Sequence, residues 1–173
     1  MKEILSNSAL HSEIKNLTKQ ISDAHSSLSE IVFIGIQQGG VAVAEEIVEL
    51  LQKQFPDEVI NYGQLDITFY RDDIRNEILA PDVMHIPFSI ENRTVILIDD
   101  VLFTGRTIKA ALDALIDLGR PEKIQLCVLI DRKEHRQFPI QADFAGIEVK
   151  TKKTDKIKLQ KDNSGNKNVV LIN

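Results

Sequence analysis

Residues 95–98, Val-Ile-Leu-Ile, run straight into two adjacent acids, Asp99 and Asp100, and a strongly patterned helix opens soon after at Thr104-Gly105-Arg106-Thr107. Four apolar residues without alternation describe a strand covered on both faces. Such a strand belongs inside a parallel sheet, and its acids then sit at the sheet's carboxyl edge, facing a helix N-terminus. The rest of the chain has matching patterns. Residues 30–36 read as a second buried strand, and 124–130 as a third, broken only by Gln125. Helical spacing marks residues 8–28 (Leu10, Ile14, Leu17, Ile21, Leu28) and about 41–54 (Val43, Ile47, Val48, Leu51). It also marks the helix after Thr107, through Ile108, Ala111, Leu112, Leu115 and Leu118; Gly119 fits its C-terminal cap and Pro121 bars continuation. Residues 65–70 alternate as a strand with Leu65, Ile67 and Phe69 on one face, and 71–87 read as a partly extended loop. Residues 131–146 look irregular, and 156–159 with 169–172 form a hairpin around Asp162-Asn163-Ser164-Gly165-Asn166. The expected architecture is α/β, a central parallel sheet flanked by helices with a small C-terminal β-hairpin, in one domain over 1–173. The loops after Ile36, Ile98 and Ile130 then share the sheet edge where ligands of such folds bind.

Composition narrows the function classes. Lys and Arg number 21 against 26 Asp and Glu, a net charge of -5, so overall charge gives no pull toward nucleic acid. One cysteine, Cys127, rules out a disulfide framework or a cysteine zinc set, and its apolar strand makes it inert core. No run approaches the roughly 18 apolar residues of a membrane span, and the polar N-terminus lacks a signal peptide's apolar region. The expected compartment is the cytoplasm, with no membrane partner.

The chemistry lies in the central loop. A helix N-terminus offers unpaired N–H groups and about half a positive charge, a ready site for phosphate. Gly105 lets the backbone approach an anion, and Thr104 and Thr107 add hydroxyl donors. Asp99 and Asp100 repel phosphate, so their partners are vicinal hydroxyls, a metal ion, or both. Two acids taken alone would read as a strand end, but two acids at a buried strand end cost stability unless something binds them. The set suits a ribose 5-phosphate better than a nucleoside triphosphate, for which the Gly-x-x-x-x-Gly-Lys-Ser/Thr loop is missing.

These residues, Val95 to Thr107, resemble the 13-residue motif for phosphoribosyl pyrophosphate (PRPP) of type I phosphoribosyltransferases. The chain is similar, more closely, to the pyrimidine operon attenuation regulators that are also uracil phosphoribosyltransferases. The likeness takes in residues 63–73, 110–121 and 131–144, and covers most of the chain from Ile31 onward. It implies the type I phosphoribosyltransferase fold. It implies that Asp99 and Asp100 bind the ribose 2- and 3-hydroxyls, and magnesium indirectly or through the ribose. The backbone of Leu102, Phe103, Thr104, Gly105, Arg106 and Thr107 would hold PRPP's ribose 5-phosphate, with Val101 also in the ribose- and PRPP-binding set. Phe103 stands where purine enzymes of this class carry an acid, which points to a pyrimidine base, and Arg132 lies where the base edge is read. The resemblance also implies that the loop beginning Tyr70-Arg71-Asp72-Asp73 closes over the site and excludes water. Uracil N1 then attacks the anomeric carbon, giving UMP and pyrophosphate, in a protein expected to be a homo-oligomer.

Two departures from the family pattern stand out. After Gly-Ile the family has a basic residue and then Thr-Arg-Gly; here Gln37-Gln38-Gly39-Gly40 follow, and the Arg is missing near Gly39. Losing one charge-assisted bond of about 1.5–3 kcal/mol would weaken PRPP binding or slow catalysis. The loop before Pro87 is also short for the family. Other readings stay open. One is a UMP- or PRPP-sensing, RNA-binding attenuator with little catalysis, for which Lys150, Lys152, Lys153, Lys156, Lys158 and Lys161 supply a basic run. Such a run is also how an exposed edge resists pairing, and the N-terminal helix offers Lys15, Lys19, His11 and His25 but none of the family's Arg. The other is a purine phosphoribosyltransferase, disfavoured by Phe103. His135, a lone loop histidine, reads as solvent-exposed rather than as a catalytic acid.

Overall fold

The computed structural model describes residues 1–71, 84–162 and 164–172. Five parallel strands build its main sheet: β2 (Ile31–Ile36), β3 (Asn61–Leu65), β4 (Thr94–Leu102), β5 (Lys123–Asp131) and β6 (Phe144–Glu148), ordered β3-β2-β4-β5-β6. The helices are α1 (Asn7–Ala24), α2 (Gly39–Gln54) and α3 (Arg106–Leu118). A strand at the start, β1 (Lys2–Leu5), pairs with β8 (Lys167–Ile172), which pairs with β7 (Lys156–Lys161), all antiparallel.

Side-chain parity explains why the central strands do not alternate in polarity. Phe33, Ile96, Ile98, Cys127 and Leu129 are buried with Leu10, Ile14, Leu17 and Ile21 of α1 and Val43, Ile47 and Leu51 of α2. Val32, Ile34, Ile36, Val95, Leu97, Leu126 and Val128 are buried on the other face with Ile108, Ala111, Ala114 and Leu115 of α3. Successive residues of a strand point to opposite faces, so a sheet with helices on both must be apolar at every position. The small sheet is half-buried and does alternate: Ile157 and Leu159 of β7 pack on the α1–α2 core, whereas Lys156 and Lys158 are exposed.

The boundaries shift from the sequence reading for identifiable reasons. Helix α1 starts at Asn7, where the Ser6 hydroxyl accepts the Ala9 N–H, and stops at Ala24. Leu28 is buried outside it, its carbonyl accepting the Ile31 N–H in the turn that feeds β2. The strand expected over 65–70 is corrected: β3 ends at Leu65. The Asp66 carboxylate accepts both the N–H (2.8 Å) and the hydroxyl (2.6 Å) of Thr68, curling the chain into a 3-10 turn over Thr68–Tyr70. Phe69 therefore leaves the face it was assigned and is 78% exposed. The segment 131–146, expected to be irregular, holds a 3-10 turn at Lys133–His135 and the start of β6. The short strand β1 was not anticipated. Across 71–87, His85 exchanges backbone hydrogen bonds with Gln64 beside β3, and residues 72–83 lie outside those described. Among the described residues no helix is long and apolar enough to cross a membrane.

Cys127 is fully buried in β5, and burial alone pushes its thiol far up from the ordinary value. A disulfide-exchange reagent at pH 8 should leave the native protein unmodified and label one thiol per chain in denaturant. Rapid native labelling would mean that the sheet opens at β5.

Candidate active site

The chain goes from β2 to β3 on one side and then places β4 on the other side of β2. Strand order reverses there, and the carboxyl ends of β2 and β4 part into the crevice that open α/β sheets use for ligands. Helix α2 begins at Gly39, three residues beyond Ile36, and α3 begins at Arg106, four beyond Leu102. Both helix N-termini therefore flank the same edge, each with donors that its own turns cannot use.

Strand β4 runs on through the acids to Leu102, so Asp99 and Asp100 lie within it, where the sequence reading had them beyond its end. The two carboxyls stay close enough to hydrogen-bond each other. The Asp100 carboxylate lies against the start of α2, where a Cβ placed on Gly39 would sit 2.2 Å from its Oδ2. The Asp100 N–H donates to Asp99 Oδ1 at 2.9 Å. Burial raises both carboxyls above their ordinary range; for Asp99 the neighbouring Asp100 charge adds to the rise, and Arg71 opposes it. Two adjacent acids are costly to hold in such surroundings without a partner.

The loop after β4 leads into α3. Gly105 precedes α3 with φ at 91°, in the left-handed region that favours glycine, and its carbonyl accepts the first helical bond from Lys109. A side chain at that position would also press on Phe138 and Ile140 at 3.3 Å. The Thr104 hydroxyl accepts the Arg106 N–H at 3.3 Å. Residues 101–108, with Arg71, line a cavity of about 220 Å³. Arg71 is thus placed at the loop after β4, while the Tyr70 hydroxyl donates to Asp117 of α3 at 2.8 Å. Asp72 and Asp73 lie outside the described residues. At the other loop, the Gln37 N–H donates to Leu65 and its amide to Gln64, and the Gln37–Gln38 peptide is cis.

With this geometry in place, comparison with known proteins is decisive. The phosphoribosyl transferase domain family matches residues 1–171. Proteins named bifunctional protein PyrR are 46% identical over 156 residues in Geobacter sp. strain M21, covering 89% of this chain and 87% of that protein. In Chloroflexus aurantiacus the figure is 42% over 174 residues, covering 99% and 94%. The chain belongs to the phosphoribosyl transferase family, in its bifunctional PyrR branch. The fold agrees: the hypoxanthine phosphoribosyltransferase of Trypanosoma cruzi superposes with a TM-score of 0.70 at 16% identity, over 99% of this chain and 95% of that one. That of Staphylococcus aureus gives 0.68 at 18%, over 88% and 80%.

In this phosphoribosyltransferase the two residues assigned to the base side meet. The Arg132 guanidinium lies 3.7 Å over the Phe103 ring centre, and its Nε and Nη2 donate to the Thr151 hydroxyl and the Lys152 carbonyl. His135 is not the exposed loop residue expected: its side chain is 18% exposed, it meets Phe103 edge-on, and its Nε2 lies 2.8 Å from the Thr151 carbonyl. Two residues of the site escaped the sequence reading, Asp131 and Arg136. They form an ion pair, Asp131 buried and Arg136 half-buried, beside the loop after β4, and Arg136 also donates to the Phe103 carbonyl. The signal available was an acid ending a buried strand with an Arg five residues on, which is a weak signal without the fold.

Proposed function

We propose that the protein transfers the phosphoribosyl group of PRPP to uracil, forming UMP and pyrophosphate. One observation carries the proposal: two adjacent acids, Asp99 buried and Asp100 half-buried, lie near the end of β4, and an αL glycine five residues further on lines a cavity. In this reading the acids hold the ribose hydroxyls, and residues 101–107 hold the 5-phosphate. The start of α2, from Gln37 to Gly40, holds the pyrophosphate. The bond from the anomeric carbon to pyrophosphate breaks as the bond to uracil N1 forms, and N1 gives up its proton. The chain's part is to hold the partners in line and to exclude water. Phe103, braced by Arg132, forms the base wall. An aromatic wall with no carboxylate at that position favours a pyrimidine over a purine. Arg71 is proposed to close the cavity that it lines.

Magnesium fits this donor set. It takes oxygen ligands and binds through one or two carboxylates plus substrate oxygens. Asp99 and Asp100 supply such carboxylates, and their raised proton affinity would be relieved by a cation. Among the described residues no three His, Cys, Asp or Glu side chains cluster as a metal cage, so ribose and pyrophosphate oxygens would complete the shell. When bound, the ion neutralises the departing pyrophosphate. The family also supports a cytoplasmic homo-oligomer with residues 1–173 acting as one unit.

The test is pyrophosphate release from PRPP and magnesium with uracil, hypoxanthine or guanine as the base. Uracil alone should sustain turnover, and turnover with either purine in its place would sink the assignment.

A second reading has its own support. Lys150, Lys152, Lys153, Lys156, Lys158 and Lys161 are all exposed along β7 and the approach to it, and the relatives are named bifunctional. RNA binding is the proposed second activity. On α1, Lys19 pairs with Asp23 and His11 with Glu46, so that helix adds little. Affinity for pyrimidine-operon leader RNA should fall linearly in log Kd against log salt and depend on UMP. A flat salt response would remove the basic run from the interface.

A further inference from the structure

We infer that Arg136 is a positioning residue that turns the peptide N–H groups of the loop after β4 toward the anion; the inference rests on reading that loop as the 5-phosphate site. The carbonyls of the loop are taken up one after another by the segment that follows β5. Leu102 O accepts the Arg132 N–H at 2.9 Å. Phe103 O accepts from Arg136 Nη1. Thr104 O accepts the N–H groups of Gln137 (2.9 Å) and Phe138 (3.3 Å). In a trans peptide the carbonyl and the next N–H point in opposite directions. Engaging these three carbonyls on one side therefore directs the N–H groups of Phe103, Thr104 and Gly105 to the other, toward the cavity their own residues line.

Three of these four donors are backbone N–H groups, which a substitution leaves in place. The fourth is the Arg136 side chain, and it serves the middle carbonyl. Its other nitrogen, Nη2, pairs with Asp131 Oδ1, and Asp131 is 2% exposed at the end of β5. The planar guanidinium thus spans two fixed acceptors, one on the sheet and one on the loop. A lysine ammonium, a point charge, cannot bridge them in the same way. Asp131 anchors the fork, and Arg136 transmits the position of β5 to the phosphate loop.

The experiment measures uracil-dependent turnover of the full chain against PRPP and against uracil, with thermal melts alongside. Arg136→Met should raise the KM for PRPP about tenfold or more and leave the KM for uracil unchanged. Arg136→Lys should fall between wild type and the Met variant. The Met variant also strands the buried Asp131 carboxylate, so the double variant Arg136→Met/Asp131→Asn is the deciding one. It should recover thermal stability and keep the raised KM for PRPP. Recovery of the wild-type KM in the double variant would reduce Arg136 to a counter-ion for Asp131 and overturn the inference, as would an unchanged KM in both. Wild-type protein that neither turns over nor binds PRPP would instead overturn the reading of the phosphate site, and the inference with it.

Discussion

Asp100→Asn is expected to lower kcat/KM for PRPP by about 10- to 100-fold, the factor that a lost charge-assisted hydrogen bond to a ribose hydroxyl commands. Asp99→Asn should fall in the same range, and the double variant should lose less than the product, because adjacent residues serving one ligand are not independent. Stability should move the other way. Asp99 is 5% exposed, and burial together with the Asp100 charge raises its carboxyl well above the ordinary value. A carboxyl with a raised folded-state pKa contributes stability that is complete below its unfolded value, about 3.9. That contribution is lost as the pH rises through the folded value, because the unfolded chain ionises first. An asparagine does not titrate. The Asp99→Asn variant should therefore gain on wild type as the pH rises from about 4.5 toward about 8, in denaturant titrations without ligand. A gap that stays constant over that range would mean that Asp99 ionises equally in both states. Loss of activity with a gain in stability is the signature of a group held at a structural cost for its ligand.

What could be read from the sequence here, and what could not, follows from the range of the interactions. The run Val95–Ile98, the glycine before α3 and the Gly119 cap are local patterns, and each marked its element within a few residues. The assignment of Asp99 and Asp100 to one edge also followed locally. Their place inside a strand did not, because it required knowing that β4 continues to Leu102. Asp66 ended β3 by a side-chain bond to Thr68 that a period-two pattern in Leu65, Ile67 and Phe69 conceals. Strand β1 depends on β8, some 165 residues away, for its pairing, and four residues carry too little pattern to announce that. The Arg136–Asp131 fork is legible only once β5 is placed beside β4, because its target is a backbone carbonyl, which every residue possesses.

The neighbouring glycines at the start of α2 should respond to the same substitution in opposite ways. A Cβ on Gly40 would lie 2.3 Å from the carbonyl oxygen of Ile98 and 2.9 Å from Asp99 Cα. Both atoms belong to the backbone of the central strand, hydrogen-bonded on each side to β2 and β5, so neither can give way. Gly40→Ala is expected to cost about 3 kcal/mol, an overpacking loss at the high end. For a chain of this length that lowers Tm by about 6–12 °C. The three atoms nearest a Cβ on Gly39 all belong to the Asp100 carboxylate, with Oδ2 at 2.2 Å and Cγ at 2.3 Å. A side chain can rotate away, so Gly39→Ala should change Tm by less than about 2 °C and instead displace Asp100 from the crevice, with the activity loss expected of Asp100→Asn. The family pattern, aligned residue by residue, has its Arg at Gly39, and in this protein the space a side chain would need there is filled by Asp100. If Gly39→Ala melts the protein and leaves turnover intact, Asp100 does not occupy the position that this account of the pyrophosphate loop requires.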